Sequence, residues 1–194
     1  MTGIKPERAL VTFEDYLARE QGRETRHEFV DGEVVAMAGA SIEHNIIAGN
    51  LFAFLHGKLA GQAPCRPFIS DMRVRVKNET MDRCRYPDVM VSCHEPVDSL
   101  HYDRCDLIAE VLSDGTAGTD RTEKMSEYSH VLKGGDYLLV SQYEERVERI
   151  TVKSEGVIDY RVYGPEDEIE LTRFEFKIPV SAIYTGISSV SEGT

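Results

Sequence analysis

The spacing of apolar and polar residues changes period several times along this chain, and each change marks an element. Thr12, with Asp15 three residues on, reads as a helix cap, and the helical pattern runs to about Glu20. Arg26 to Val30 and Glu33 to Ala38 flank Asp31-Gly32, a two-residue hairpin signal. Ser41 can cap a second helix with Ile42, Ile46, Ala53, Phe54 and Leu55 among its apolar residues, stopped by Gly61. From Phe68 to Lys77 the pattern turns to strict alternation. Met72, Val74 and Val76 face one way, and Arg73, Arg75 and Lys77 the other.

Two further strands each carry a carboxylate among apolar residues: Tyr86-Pro87-Asp88-Val89-Met90-Val91 and Ile108-Ala109-Glu110-Val111-Leu112-Ser113. A polar loop around Glu95 to Ser99 separates them, and Gly115 and Gly118 mark the loop into a helix, Asp120 to Tyr128. Gly134-Gly135 ends that helix, and Tyr137 to Val140 reads as a buried strand. Arg146 to Lys153 and Val157 to Tyr163 form a hairpin around Glu155-Gly156. Phe174 to Ile178 is a last strand, and Ser188 to Thr194 a frayed tail. No repeat or second core is visible, so the pattern predicts one mixed α/β domain over all 194 residues.

The carboxylates change the picture most. An ionised Asp or Glu in an apolar strand costs several kcal/mol (~) unless a cation or hydrogen bonds compensate it. Two such strands in succession point to one divalent metal shared by Asp88 and Glu110, and the helix that follows carries a lysine, Lys124. Mg²⁺ prefers such hard carboxylate oxygens, and Mn²⁺ is a possible substitute.

Composition sets limits. No apolar run approaches the roughly 20 residues of a membrane span, and the N-terminal residues lack the apolar stretch of a secretory signal. A cytoplasmic location is the default expectation. None of the four cysteines, Cys65, Cys84, Cys93 and Cys105, stands in a Cys-x-x-Cys pair, so free thiols are expected rather than a zinc site. The formal net charge of −12 opposes nucleic-acid binding. Its distribution softens the objection: Arg66 to Arg85 holds six basic residues against three acids, while Ser141 to Glu170 holds nine acids against four basic residues.

These residues, taken in order, resemble the restriction-endonuclease family of the Uma type, within the PD-(D/E)xK nuclease superfamily. The resemblance covers roughly residues 12 to 150. Its motifs are Glu28-Phe29-Val30-Asp31-Gly32-Glu33, Ser41 to His44, Pro87-Asp88-Val89, Glu110-Val111-Leu112-Ser113, and Asp120-Arg121-Thr122-Glu123-Lys124 with Tyr128. It implies a restriction-endonuclease-like core, with a central twisted mixed sheet flanked by helices and hairpins at both ends. It also implies Mg²⁺-dependent cleavage of DNA by a homodimer. Asp88 and Glu110 would be ligands, with the Val111 carbonyl by analogy, and Lys124 would assist the attacking water. Glu28, His44 and Asp120 would stand behind them. One departure is plain: the superfamily's strand lysine falls at Leu112 here, and the Uma pattern carries its lysine on the following helix.

Each residue also has a structural alternative. Asp88 can cap the turn after Pro87. Lys124 can be solvated or pair with Glu127, Asp120 can favour a helix N-terminus, and His44 and Glu28 can simply face solvent. Arg73, Arg75 and Lys77 are either a phosphate-tracking stripe or, more simply, an exposed strand face. For the whole chain, the alternative to a nuclease is a non-cleaving interaction module that keeps the fold; a hydrolase of another phosphate compound is a third option.

Overall fold

The structure, a computed structural model, describes residues 10–37, 39–152 and 158–187. It opens with helix α1 (Phe13–Glu20), where the Thr12 hydroxyl accepts the Asp15 N–H at 3.1 Å. Phe13 and Tyr16 on the buried side of α1 pack against Phe29. Strands β1 (His27–Val30) and β2 (Glu33–Ala36) form the expected hairpin. Asp31 and Gly32 both take positive φ, 49° and 92°, as a two-residue turn between twisted strands demands. Ala38, the expected end of β2, lies outside the described residues.

Helix α2 (Ile42–Leu59) is capped by Ser41, whose hydroxyl accepts the His44 N–H at 3.0 Å. Ile47, Leu51, Leu55 and Leu59 recur every four residues and form its buried stripe. The single strand expected over Phe68 to Lys77 is two strands, β3 (Arg66–Ile69) and β4 (Arg73–Lys77). Ser70 adopts a left-handed φ of 56°, and the chain turns there and passes from one sheet to another. Strand β5 (Asp82–Arg85) follows, a strand not among those expected from the sequence.

The two carboxylate strands are β6 (Val89–Ser92) and β8 (Leu107–Leu112), separated by the short β7 (His101–Tyr102). The lysine helix is a single stretch of three parts: α3 (Ala117–Thr119), a π-helical turn Asp120–Lys124, and α4 (Met125–Leu132). Lys133 and Gly134, both at positive φ, end it. Gly135 permits a close approach, since a Cβ there would stand 2.3 Å from the Asp106 carbonyl oxygen. Strands β9 (Asp136–Ser141), β10 (Val147–Val152) and β11 (Ile158–Tyr163) come next, the turn expected at Glu155-Gly156 lying outside the described residues. The chain closes with β12 (Glu168–Glu170), β13 (Lys177–Pro179) and α5 (Val180–Ile183). The last strand therefore starts later than expected, because Phe174 and Phe176 pack against the core from an irregular segment. The tail expected over Ser188 to Thr194 is outside the described residues.

The mixed α/β class holds, with most strands divided between two sheets. One has five strands in the order β2-β1-β5-β4-β7, the other six in the order β11-β10-β9-β8-β6-β3. Strands β8 and β9 run parallel, joined by the helical crossover that such a pair requires. β8 is buried on both faces. Leu107, Ala109 and Val111 join one core with α2 and α5, while Ile108 and Leu112 join a second with Tyr128, Val131 and the β4 valines. Glu110 shares the second face by its position in the strand. The site is thus built where the six-stranded sheet, α4 and the five-stranded sheet meet.

The cysteine expectation is corrected. Cys65 and Cys93 form a disulfide, and only Cys84 and Cys105 are free thiols, both buried. The reason is register: Arg66 pairs with Ser92 between β3 and β6, which sets the flanking cysteines opposite one another. Spacing of 28 residues along the chain conceals that proximity.

Candidate active site

The acids are aligned by strand register. Val89 pairs with Ala109 in the antiparallel β6–β8 ladder, so Asp88, one residue before, lies opposite Glu110, one residue beyond. Asp88 Oδ2 accepts the Val111 N–H at 2.8 Å, and Oδ1 stands 3.0 Å from His44 Nε2 on the first turn of α2. The contact Val111 makes is through its amide. Glu110 is only 3% exposed; its Oε1 accepts from Lys124 Nζ at 3.0 Å and from the Tyr128 hydroxyl at 2.8 Å. Lys124 and Tyr128 are one helical turn apart, which is why both reach the same oxygen.

Lys124 sits in a nest of acids. Besides Glu110, its Nζ lies 2.9 Å from Asp120 Oδ1 and 3.9 Å from Glu28 Oε1. Asp120 Oδ1 is buried and has no aligned hydrogen bond, so its contact with Lys124 is a charge pairing. Burial works against the Lys124 charge, but Glu110, Glu28 and Asp120 outweigh it and hold the ammonium protonated well above the usual lysine range. Burial outweighs the pull of Lys124 and, with Asp88 and Asp120 adding to it, raises the Glu110 carboxyl to about 8.

Glu28 arrives from the five-stranded sheet. Arg85 on β5 bonds Glu28 Oε2 at 2.6 Å, and its Nε and Nη2 each bond Glu127 at 2.8 Å. Arg83 also bonds Glu127, and Asp31 besides. Glu127 is fully buried; burial alone would raise its carboxyl, but Arg85 and Arg83 hold it below the usual range. The sequence alternative of a Lys124–Glu127 pair is therefore not what forms. Arg85 and Glu127 went unsuspected, although the alternation Arg83-Cys84-Arg85 before Pro87 is a signal for a strand with one charged face.

The structure brings Glu28, His44, Asp88, Glu110, Val111, Asp120 and Lys124 into one region. It does not bring the basic stripe there. Arg75 is bidentate to Asp82 at 2.9 Å and lies over the Phe13 ring, and Arg73 is buried over Tyr86. Only Lys77 is exposed, so the face is neither a stripe nor open to solvent: α1 covers it.

Among the described residues no three His, Cys, Asp or Glu side chains are arranged to hold a metal. The donor set nevertheless suits a hard cation that keeps most of its waters. Three carboxylates, those of Glu28, Glu110 and Asp120, share Lys124, with part of Arg85 on Glu28, while the fourth, Asp88, has the His44 imidazole beside it. One of their buried oxygens lacks an aligned partner.

Comparison with known proteins places the chain. The Uma2 family model, described as a putative restriction endonuclease, matches residues 13–181. The chain belongs to the Uma2 family. An uncharacterized protein of Synechocystis, sll1609, is 36% identical over 143 residues, covering 72% of this chain and 79% of that protein. A second from the same organism, slr1290, is 32% identical over 180 residues, covering 90% and 92%. The fold is that of a putative nuclease of DUF820 from Anabaena variabilis. That structure superposes with a TM-score of 0.71 at 16% identity, covering 90% of this Uma2 chain and 97% of its own. Among the described residues of this Uma2 protein no helix is long and apolar enough to cross a membrane.

Proposed function

We propose that this chain is a Mg²⁺-dependent DNA endonuclease that works as a homodimer. Asp88 and Glu110 would hold the metal together with the Val111 carbonyl, and Mn²⁺ would substitute. The observation that carries the reading is the position of Lys124. A buried ammonium stands 3.0 Å from the glutamate of one strand while the aspartate of the next strand lies opposite that glutamate. Lysine at this place does the work of the strand lysine that Leu112 replaces.

When bound, Mg²⁺ supplies positive charge at the phosphate and makes water a better nucleophile. Lys124, kept cationic by its acids, serves as a hydrogen-bond donor that orients the attacking water or stabilises charge developing on the phosphate. His44 and the Val111 amide fix the Asp88 carboxylate, and Tyr128 fixes that of Glu110. Dimerisation follows from the need to cut two antiparallel strands. The test is nicking of supercoiled plasmid with Mg²⁺ or Mn²⁺ against EDTA. Activity in EDTA, or undiminished activity of Asp88→Ala, would sink the proposal.

A second reading, a non-cleaving module, draws on one observation. Both Asp88 oxygens and Glu110 Oε1 already have protein partners. Absence of any Mg²⁺ binding by calorimetry would favour it over the nuclease.

A further inference from the structure

We infer that the protein carries a separate phosphate-binding cleft on the α1 side of the five-stranded sheet, occupied by a backbone phosphate of the nucleic-acid strand. The identity of the phosphate's carrier rests on the nuclease reading; the anion site itself does not. The cleft measures about 260 Å³ and is lined by Tyr16, Arg19, Glu20, Arg23 and His27 between two valines. Its two arginines are exposed, and among the described residues neither pairs with a carboxylate. Gly22, at a φ of 80°, reverses the chain just after α1, and Arg23 Nη1 comes within 3.3 Å of both ring nitrogens of His27.

The one acid in the lining, Glu20, offsets only one of the two arginine charges, and its oxygens are turned to other donors. Glu20 Oε1 accepts the His27 N–H at 2.8 Å and the Tyr86 hydroxyl at 3.3 Å, while Oε2 faces His27 Nδ1 at 3.2 Å. Glu24, though near in sequence, is not part of the lining. Arg73 adds a further positive charge close by: it is buried over the Tyr86 ring, and its Nε and Nη1 have no acceptor. Two guanidinium groups against one carboxylate leave the concave lining net positive, and their planar forks match phosphate oxygens. A carboxylate ligand lacks the third oxygen that two arginines can share, so phosphate is the better fit.

The cleft and the acids are neighbours through the sheet. His27 and Glu28 are consecutive on β1 and point to opposite faces, and Tyr86 precedes Asp88 by two residues, about 7 Å of extended chain. The cleft and the acids thus lie on opposite faces of β1, so a phosphate held by Arg19 and Arg23 would belong to a segment of the nucleic acid that has passed around the edge of the sheet, not to the nucleotides at the acids.

The test uses the full chain in EDTA, where cleavage plays no part. Inorganic phosphate is titrated against chloride at matched ionic strength while the arginine Nε–Hε NMR signals are followed. A labelled oligodeoxynucleotide is titrated separately by fluorescence anisotropy. Phosphate should shift the Arg19 and Arg23 signals. Arg19→Gln/Arg23→Gln should weaken oligonucleotide binding by roughly ten-fold and lower its salt slope by about one, with Arg19→Lys/Arg23→Lys intermediate. Both side chains are exposed, so these variants keep the fold. Lys58→Gln/Arg104→Gln removes the same charge elsewhere; an equal loss in that variant would overturn the site. Unchanged binding by the glutamine variant, with silent arginine signals, would overturn it too. Phosphate shifts without any effect on oligonucleotide binding would give the cleft to a free phosphate compound and overturn the backbone assignment. A parent that never nicks DNA yet binds it through these arginines would sink the catalytic reading and leave the cleft standing.

Discussion

Asp88 Oδ2 accepts the Val111 amide hydrogen at 2.8 Å, so the carboxylate of one strand is clamped to the backbone of the next beside Glu110. The clamp means that the two acids cannot drift in register independently of the sheet. Substitutions in this region should therefore separate into effects on metal affinity and effects on turnover.

Lys124→Ala should leave Mg²⁺ affinity nearly unchanged and slow plasmid nicking by ~10²–10⁴-fold, as loss of a positioned proton-bearing group does. Asp88→Ala should abolish both. Isothermal titration and a nicking time course read the two quantities separately.

His44→Ala removes the imidazole 3.0 Å from Asp88 Oδ1. The expected outcome is a change of roughly 10- to 100-fold in metal affinity, the scale found when a ligand's supporting partner is lost. Metal titration of folded His44→Ala checks it, and an unchanged affinity would show that His44 only caps the region.

Glu127→Gln should destabilise the fold by about 3 kcal/mol near neutral pH, because it leaves Arg85 and Arg83 short of their shared anion. The native carboxyl lies below its usual range, so its contribution is present above the unfolded pKa of about 4.3 and fades as pH falls below it. Denaturant melts should show the gap between parent and variant closing at low pH.

Reduction of Cys65–Cys93 should cost about 3.6 kcal/mol, the scale for a loop of 28 residues. Cys65→Ser/Cys93→Ser should melt where the reduced parent does, and thiol titration of the oxidised, unfolded protein should find only Cys84 and Cys105.

What local pattern controls was legible in advance. Thr12 and Ser41 cap helices by hydrogen bonds to residues three positions on, and Asp31-Gly32 turns a hairpin through its own backbone preferences. The carboxylates of Asp88 and Glu110 stood out because their neighbours are apolar. What escaped depends on contacts distant in sequence. β5 reads Asp-Arg-Cys-Arg, and only the pairing of Arg85 with Glu28 and Glu127, 57 and 42 residues away, explains so polar a buried strand. The break at Ser70 likewise follows from two sheets competing for adjacent segments, which alternation cannot express.

The π-helical turn at Asp120–Lys124 gives the site a tolerance in chain length. That turn holds one residue more than a regular helical loop closed by hydrogen bonds, so removing one of Arg121, Thr122 or Glu123 would let the stretch close as regular α-helix. Asp120 and Lys124 would then stand three positions apart instead of four and stay on one face, because residues three and four apart are both neighbours on a helix. A one-residue gap, which in the regular helix beyond Met125 would swing one side of the site about 100° from the other, is absorbed here without parting the lysine from its acid.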